Sequence, residues 1–207
     1  MLNHEHNAMT KNLPYSFSLG RRMRFCLMWF CAATVLLGAA IRVRAEAADT
    51  EHQVKAAFLF NFAQFIEWPP SAFTDTNAPI VIGVLGTDPF GDSLDETVRD
   101  ETIHGRKLVI QRARKIENLK NCQMIFISRS EKNRVDEVLA ALDGKPVLTV
   151  GEIDGFAEQG GAINFYREGN KVRFEINPLV TRRNGLKVSS ELLSLGKIVT
   201  SETKGKK

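Results

Sequence analysis

The sequence predicts an α/β fold: a single three-layer domain with a mixed, mostly parallel sheet flanked by helices and an antiparallel hairpin near the C-terminus. Three observations predict it. Four short runs, "IVIGVLG" (80–86), "KLVIQ" (107–111), "QMIFIS" (123–128) and "PVLTV" (146–150), have strand length and are apolar, the first continuously so. Such runs suit strands covered on both faces. Segments of helical spacing alternate with strands, which is a βαβ rhythm. Beyond Gly151 the pattern changes to alternation on either side of a glycine, the signature of a hairpin.

The elements follow in chain order. Asp49 to Trp68 reads as a helix, with Thr50 and Gln53 at capping-box spacing and Pro69-Pro70 as its stop. Projected at 100° per residue, Val54, Phe58, Leu59, Phe62, Phe65 and Ile66 share one apolar face. Gln53, Asn61, Gln64 and Glu67 lie opposite, and Phe60 falls among them. After the first strand, Asp88-Pro89 opens a helix with Phe90, Leu94 and Val98 at steps of four. Ser130 caps a helix whose stripe is Val135, Val138, Leu139 and Leu142.

In "GGAINFYREGNKVRFEIN" a two-residue turn at Glu168-Gly169 sets Phe165 opposite Val172 and Ile163 opposite Phe174. The other face then carries Asn164, Tyr166, Lys171, Arg173 and Glu175. Asn177 caps a short helix with Pro178 first, and Gly185 ends it. Ser189 or Ser190 caps a last helix bearing Leu192, Leu193, Leu195, Ile198 and Val199.

The chain start has its own logic. Arg21, Arg22 and Arg24 precede sixteen nearly uninterrupted apolar residues, "FCLMWFCAATVLLGAA", and "IRVRAEAAD" then offers small-x-small cleavage sites. This is the order of a secretory signal peptide. The preferred cut follows Ala47, leaving 1–47 as leader, 48–199 as the domain and 200–207 as a solvated tail. The competing reading is an uncleaved anchor, for which sixteen residues fall short of the roughly 20 that span a bilayer.

Charge and cysteine content change once the leader is set aside. The chain has 28 Lys/Arg and 24 Asp/Glu. Six of the basic residues and two of the acidic ones lie in 1–47, so 22 of each remain and the rest is neutral. No general positive field is left to attract nucleic acid. Cys26 and Cys31 also lie in the leader. Cys122 alone cannot form an internal disulfide; it reads as a buried small hydrophobe, or else as one half of an intermolecular bridge.

Catalytic and metal signatures are weak. Beyond the leader His52 and His104 stand far apart, with no H-x-x-x-H or C-x-x-C, so no metal site or cofactor is expected. There is no G-x-S-x-G, and the glycines at 83, 86 and 91 match neither a P-loop nor a dinucleotide fingerprint. Glu152 and Asp154 form a carboxylate pair in what reads as a solvated loop. The turn "GTDPFGD" lies past the carboxyl end of a strand, where open α/β sheets bind ligands. It makes Thr87 and Asp88 candidate ligand-binding residues, against the alternative of an ordinary turn. The residues give no support for an enzyme.

A set of segments is similar to one known family. "VKAAFLFNFAQFIEWPPSAF" resembles the opening of the YfiR family, an aromatic helix ending in "EWP". The similarity runs through "IVIGVLGTDPFG", "IHGRKLVIQR", "CQMIFIS", "VLTVGEIDGFAEQGGAINF" and "NKVRFEINPLVTRRNGLKVSSELLSLGKIV", in order over 52–199. The resemblance implies a periplasmic α/β domain that is not an enzyme. It implies a repressor that binds the periplasmic domain of an inner-membrane diguanylate cyclase and lowers cyclic di-GMP. It further implies an outer-membrane peptidoglycan-binding lipoprotein as a second partner, and a homodimer. The two disulfides of the best-known member cannot form here, so their redox role is not carried over.

Candidate partner-binding residues are Phe60, Arg173 and Glu175. Phe60 is either covered by the segment around Phe73 or exposed as an anchor. Arg173 and Glu175 project together from the hairpin's polar face, as an ion pair or as a contact. Lys187 and Ser189 read first as surface and capping residues, with ligand contact as the second reading. A competing function is a periplasmic small-molecule sensor in another signalling system.

Overall fold

An eight-stranded sheet organises the described residues. The computed structural model describes residues 50–200, so the expected signal peptide (1–47) and all of the expected tail but Thr200 lie outside the described residues. In chain order the elements are α1 (residues 50–65), β1 (Ile66–Glu67), β2 (Ile80–Leu85), α2 (Ser93–Val98), β3 (Thr102–Ile103), β4 (Arg106–Ala113), β5 (Met124–Ile127), α3 (Val135–Leu142), β6 (Leu148–Gly151), β7 (Ile163–Glu168), β8 (Lys171–Ile176), α4 (Pro178–Arg183), β9 (Lys187–Val188), α5 (Ser190–Leu195) and β10 (Lys197–Ile198). The strand order is β10-β8-β7-β6-β5-β2-β4-β3, in which β4, β2, β5, β6 and β7 run parallel to one another. The β7–β8 hairpin and the β3–β4 hairpin are antiparallel. The mixed, mostly parallel sheet expected from the apolar runs is what forms.

Alternation along the central strands divides the core between the two faces. Ile82, Val84, Met124, Phe126, Leu148 and Val150 pack with α1, α2, α4 and α5. Leu85, Ile125 and Ile127 face the other way, onto Leu119, Cys122 and the α3 stripe Val135, Val138, Leu139 and Leu142. That stripe is buried as its spacing predicts.

Helix α1 corrects the expected face. Its fully buried residues are Ala56, Leu59, Phe62 and Ala63, with Ile66 continuing the line in β1. The arc is rotated toward the two alanines, which let the helix approach the sheet closely. Phe58 and Phe65 become half-buried flanks, and Val54 is 39% exposed. The helix also stops short of Trp68. Ile66 and Glu67 pair antiparallel with Val188 and Lys187, and the Ser189 N–H donates to Phe65 O at 3.0 Å. Trp68 Nε1–H instead donates to Gln123 O at 2.8 Å, fastening the "EWP" segment to the start of β5.

The hairpin register is corrected by two residues. Phe165 opposes Phe174, Ile163 opposes Ile176 and Glu168 opposes Lys171. The turn is therefore Gly169-Asn170, with Gly169 at φ 60, a left-handed conformation that glycine adopts without steric cost. A slip of two preserves which side chains share a face. Phe165, Val172 and Phe174 do share the apolar face, and there Phe62 stacks on Phe165 at 5.6 Å and meets Phe174 edge-on at 5.0 Å.

Three helix boundaries differ from expectation. Asp88 makes an Asx turn, its carboxylate accepting from Phe90 N–H at 2.7 Å, and α2 begins only at Ser93. Ser128, not Ser130, caps a 3₁₀ turn at Arg129–Glu131 ahead of α3. The last helix ends at Leu195, because Lys197 and Ile198 leave it to pair with Glu175 and Ile176 of β8. Asn177 caps α4 as expected, accepting from Leu179 and Val180 N–H.

Candidate functional site

Position 55 is a lysine at the N-terminal end of the buried arc of α1. Helical spacing places it directly above Leu59, Phe62 and Ile66. A buried ammonium needs opposite charge and hydrogen bonds. Lys55 is 5% exposed, and its Nζ lies 2.7 Å from Glu51 one turn earlier and 2.7 Å from Glu152 in the β6–β7 loop. Glu152 is thus an internal ion-pair partner rather than half of a solvated carboxylate pair. Glu51 also pairs with Arg167 of β7 at 3.2 Å. Burial acts to raise the Glu51 pKa, but the hydrogen bond from Lys55 and the nearby positive charges outweigh it and hold the carboxylate below its usual range.

This network brings the first turns of α1 against the tip of the β7–β8 hairpin. Between them lies a groove of about 640 Å³. Val54, Phe58 and Val172 supply its apolar surface, and Arg167, Lys171 and Arg173 supply three cations beside Glu51. Beneath it Phe58 joins the aromatic cluster, 5.9 Å from Phe62, 6.0 Å from Phe165 and 5.7 Å from Phe174. Both walls are thereby fixed to the same core.

The structure separates the residues singled out in the sequence. Arg173 lines this groove, is exposed and pairs with Glu168 at 3.2 Å. Glu175 lies two residues along the same strand face but is only 7% exposed. Its carboxylate accepts from Asn164 Nδ2 at 3.1 Å and stands 3.6 Å from Lys197, which covers the polar face there. Phe60 is half-buried and packs against the main core.

Thr87 and Asp88 sit together beyond β2. Asp88 is held by Arg112 Nε at 2.7 Å as well as by Phe90 N–H, while the Thr87 N–H donates to Ser130 Oγ at 3.0 Å. Arg112 also binds Asp95, and these two carboxylates raise the guanidinium pKa further. Lys187 is exposed on β9 and pairs with Glu67 at 3.5 Å. Ser189 caps α5, its hydroxyl accepting from Leu192 N–H at 3.1 Å.

Sequence reasoning missed Lys55, Glu51, Arg167 and Lys171. For Lys55 a signal existed, since a lysine on an apolar arc demands a buried partner. Lys171 and Arg167 gave none, because only the hairpin's packing brings them to α1. Cys122 is buried, and burial pushes its thiol pKa up to about 11. Among the described residues every buried side-chain nitrogen or oxygen has a partner, and no three His, Cys, Asp or Glu side chains form a metal-sized group. Among them, too, no helix is long and apolar enough to cross a membrane.

The described residues form a layered α/β domain with a surface groove between α1 and the β7–β8 hairpin. The chain belongs to the YfiR/HmsC-like family, whose model matches residues 52–197. This is a regulatory, non-catalytic family of the periplasm, associated with diguanylate cyclase systems. No curated protein matches the chain.

Proposed function

We propose that this chain is exported to the periplasm, loses residues 1–47, and binds the periplasmic region of an inner-membrane diguanylate cyclase so as to hold that enzyme inactive. The observation that carries this reading is the family match across 52–197. The groove between α1 and the hairpin supports it by offering exposed apolar and cationic groups on a rigid frame. Repression requires that the chain bind the inactive cyclase more tightly than the active one, because equal affinity for both states shifts nothing. An outer-membrane peptidoglycan-binding lipoprotein that competes for the chain would then release the cyclase.

The test joins binding with a cellular readout. The purified protein is titrated with the periplasmic region of a cyclase encoded beside it, and cyclic di-GMP is measured after gene deletion. Binding together with a rise in cyclic di-GMP is expected. No binding and an unchanged nucleotide level would refute the reading. A small-molecule sensor is supported less well, since Asp88 is already engaged by Arg112 and a backbone N–H.

A further inference from the structure

We propose that the groove between the first turns of α1 and the tip of the β7–β8 hairpin seats an acidic partner segment that buries one apolar side chain. The proposal rests on the regulator reading for the partner's identity, but not for its chemistry.

The floor is apolar and open. Val54 is 39% exposed, and Phe58 and Val172 are half-buried on the edge of the core. An apolar side chain laid there removes this surface from water. The rim is cationic and unevenly neutralised. Glu51, the one carboxylate among the described residues that line the groove, already serves Lys55 and Arg167. Among the described residues Arg173 pairs only with exposed Glu168, and Lys171 has no ion-pair partner. Exposed pairs are worth about 0–1 kcal/mol, so an incoming carboxylate can replace Glu168 at small cost.

The same charges argue against a membrane as occupant. Residues 48–207 carry 22 basic and 22 acidic side chains, so the domain has no net positive charge to draw it to an anionic surface. A cleft of about 640 Å³ suits a few side chains of a segment rather than a plane of headgroups. Its walls are fixed to one aromatic cluster, which limits the ordering cost of binding.

The experiment uses the protein isolated from the periplasm and three labelled probes. They are a short peptide with one leucine flanked by aspartates, its lysine-flanked twin, and vesicles containing phosphatidylglycerol. The aspartate peptide is expected to bind saturably, to weaken as salt rises, and to bind about tenfold more tightly than the twin. Lys171→Glu and Val54→Asp, both at exposed positions and checked by unchanged melting, should each weaken it about tenfold. Equal binding of the twin, preference for the vesicles, or indifference to both variants would overturn the proposal. If the peptide binds but the cyclase region does not, the regulator reading falls and the groove stands. If the cyclase region binds Lys171→Glu and Val54→Asp as tightly as the parent protein, the groove is overturned and the regulator reading stands.

Discussion

Lys55 Nζ lies 2.7 Å from the Glu152 carboxylate across 97 positions of sequence. The pair ties the start of α1 to the loop that carries the chain from β6 to β7. Removing one member of a buried pair leaves the other charge without compensation, which costs about 3–5 kcal/mol. Lys55→Met is therefore expected to lower unfolding stability by about 3 kcal/mol in urea denaturation. Lys55→Met combined with Glu152→Leu should recover much of that loss, since no lone carboxylate then stays buried beside an apolar side chain. A double variant as unstable as the summed singles would show that the two residues act independently.

Glu51 makes stability sensitive to acid. Its folded pKa lies below the usual glutamate value of 4.5. Asp95 is lowered as well, chiefly by the hydrogen bond from Arg112 and against the effect of burial. A carboxylate with a depressed folded pKa contributes stability that is present above its unfolded value and lost as pH falls through the folded one. Melting temperature should therefore fall as pH drops below about 4.5. Glu51→Gln should flatten that decline relative to the parent protein, and calorimetry across the acid range measures the difference.

Gly161 supports the face of a buried aromatic ring. A Cβ built there would stand 2.1 Å from the Phe156 ring, and one at Gly151 would stand 2.7 Å from it. Phe156 is fully buried between the β6 end and the "GG" turn, so the ring has little room to move. Gly161→Ala is expected to destabilise by about 1–3 kcal/mol through overpacking. Adding Phe156→Leu should recover part of the loss, and chemical denaturation of the two variants compares them.

Most of the layered fold was legible because its central strands are apolar on both faces. Runs such as Ile80–Leu85 and Met124–Ile127 declare themselves without any partner being known. The hairpin shows where legibility stops. Its faces followed from alternation, but turns at Glu168-Gly169 and Gly169-Asn170 give the same faces, so the pairing slipped by two. Helix α1 shows a second limit. Hydrophobic size favoured a face centred on the phenylalanines, whereas close packing chose the side with Ala56 and Ala63. The groove was least legible. Val54 and Lys171 are distant in sequence and line one groove because four phenylalanines and the Glu51–Arg167 ion pair join α1 to the hairpin.

Cys122 should be chemically quiet in the folded protein. The thiolate is the reactive form, and a thiol pKa of about 11 leaves little of it at neutral pH. Burial against Leu119 and the α3 side of the sheet also denies access to reagents. Labelling by a thiol reagent is expected to be slow in buffer and rapid in denaturant. Rapid labelling without denaturant would mean that this part of the domain opens locally.

Phe60 tests how far the partner surface extends beyond the groove. It is half-buried on α1 and packs against the main core, yet it does not line the groove. Phe60→Ser should cost about 1–2 kcal/mol, less than truncation of a fully buried phenylalanine, which costs about 3–5 kcal/mol. Its exposed part is an aromatic surface of the kind that anchors protein partners. The substitution is therefore expected to weaken capture of the cyclase's periplasmic region about tenfold while leaving binding of the aspartate peptide unchanged. Unchanged capture would restrict Phe60 to packing. A loss of peptide binding would mean that the substitution disturbs α1 itself, a result that melting curves of the same variant would register independently.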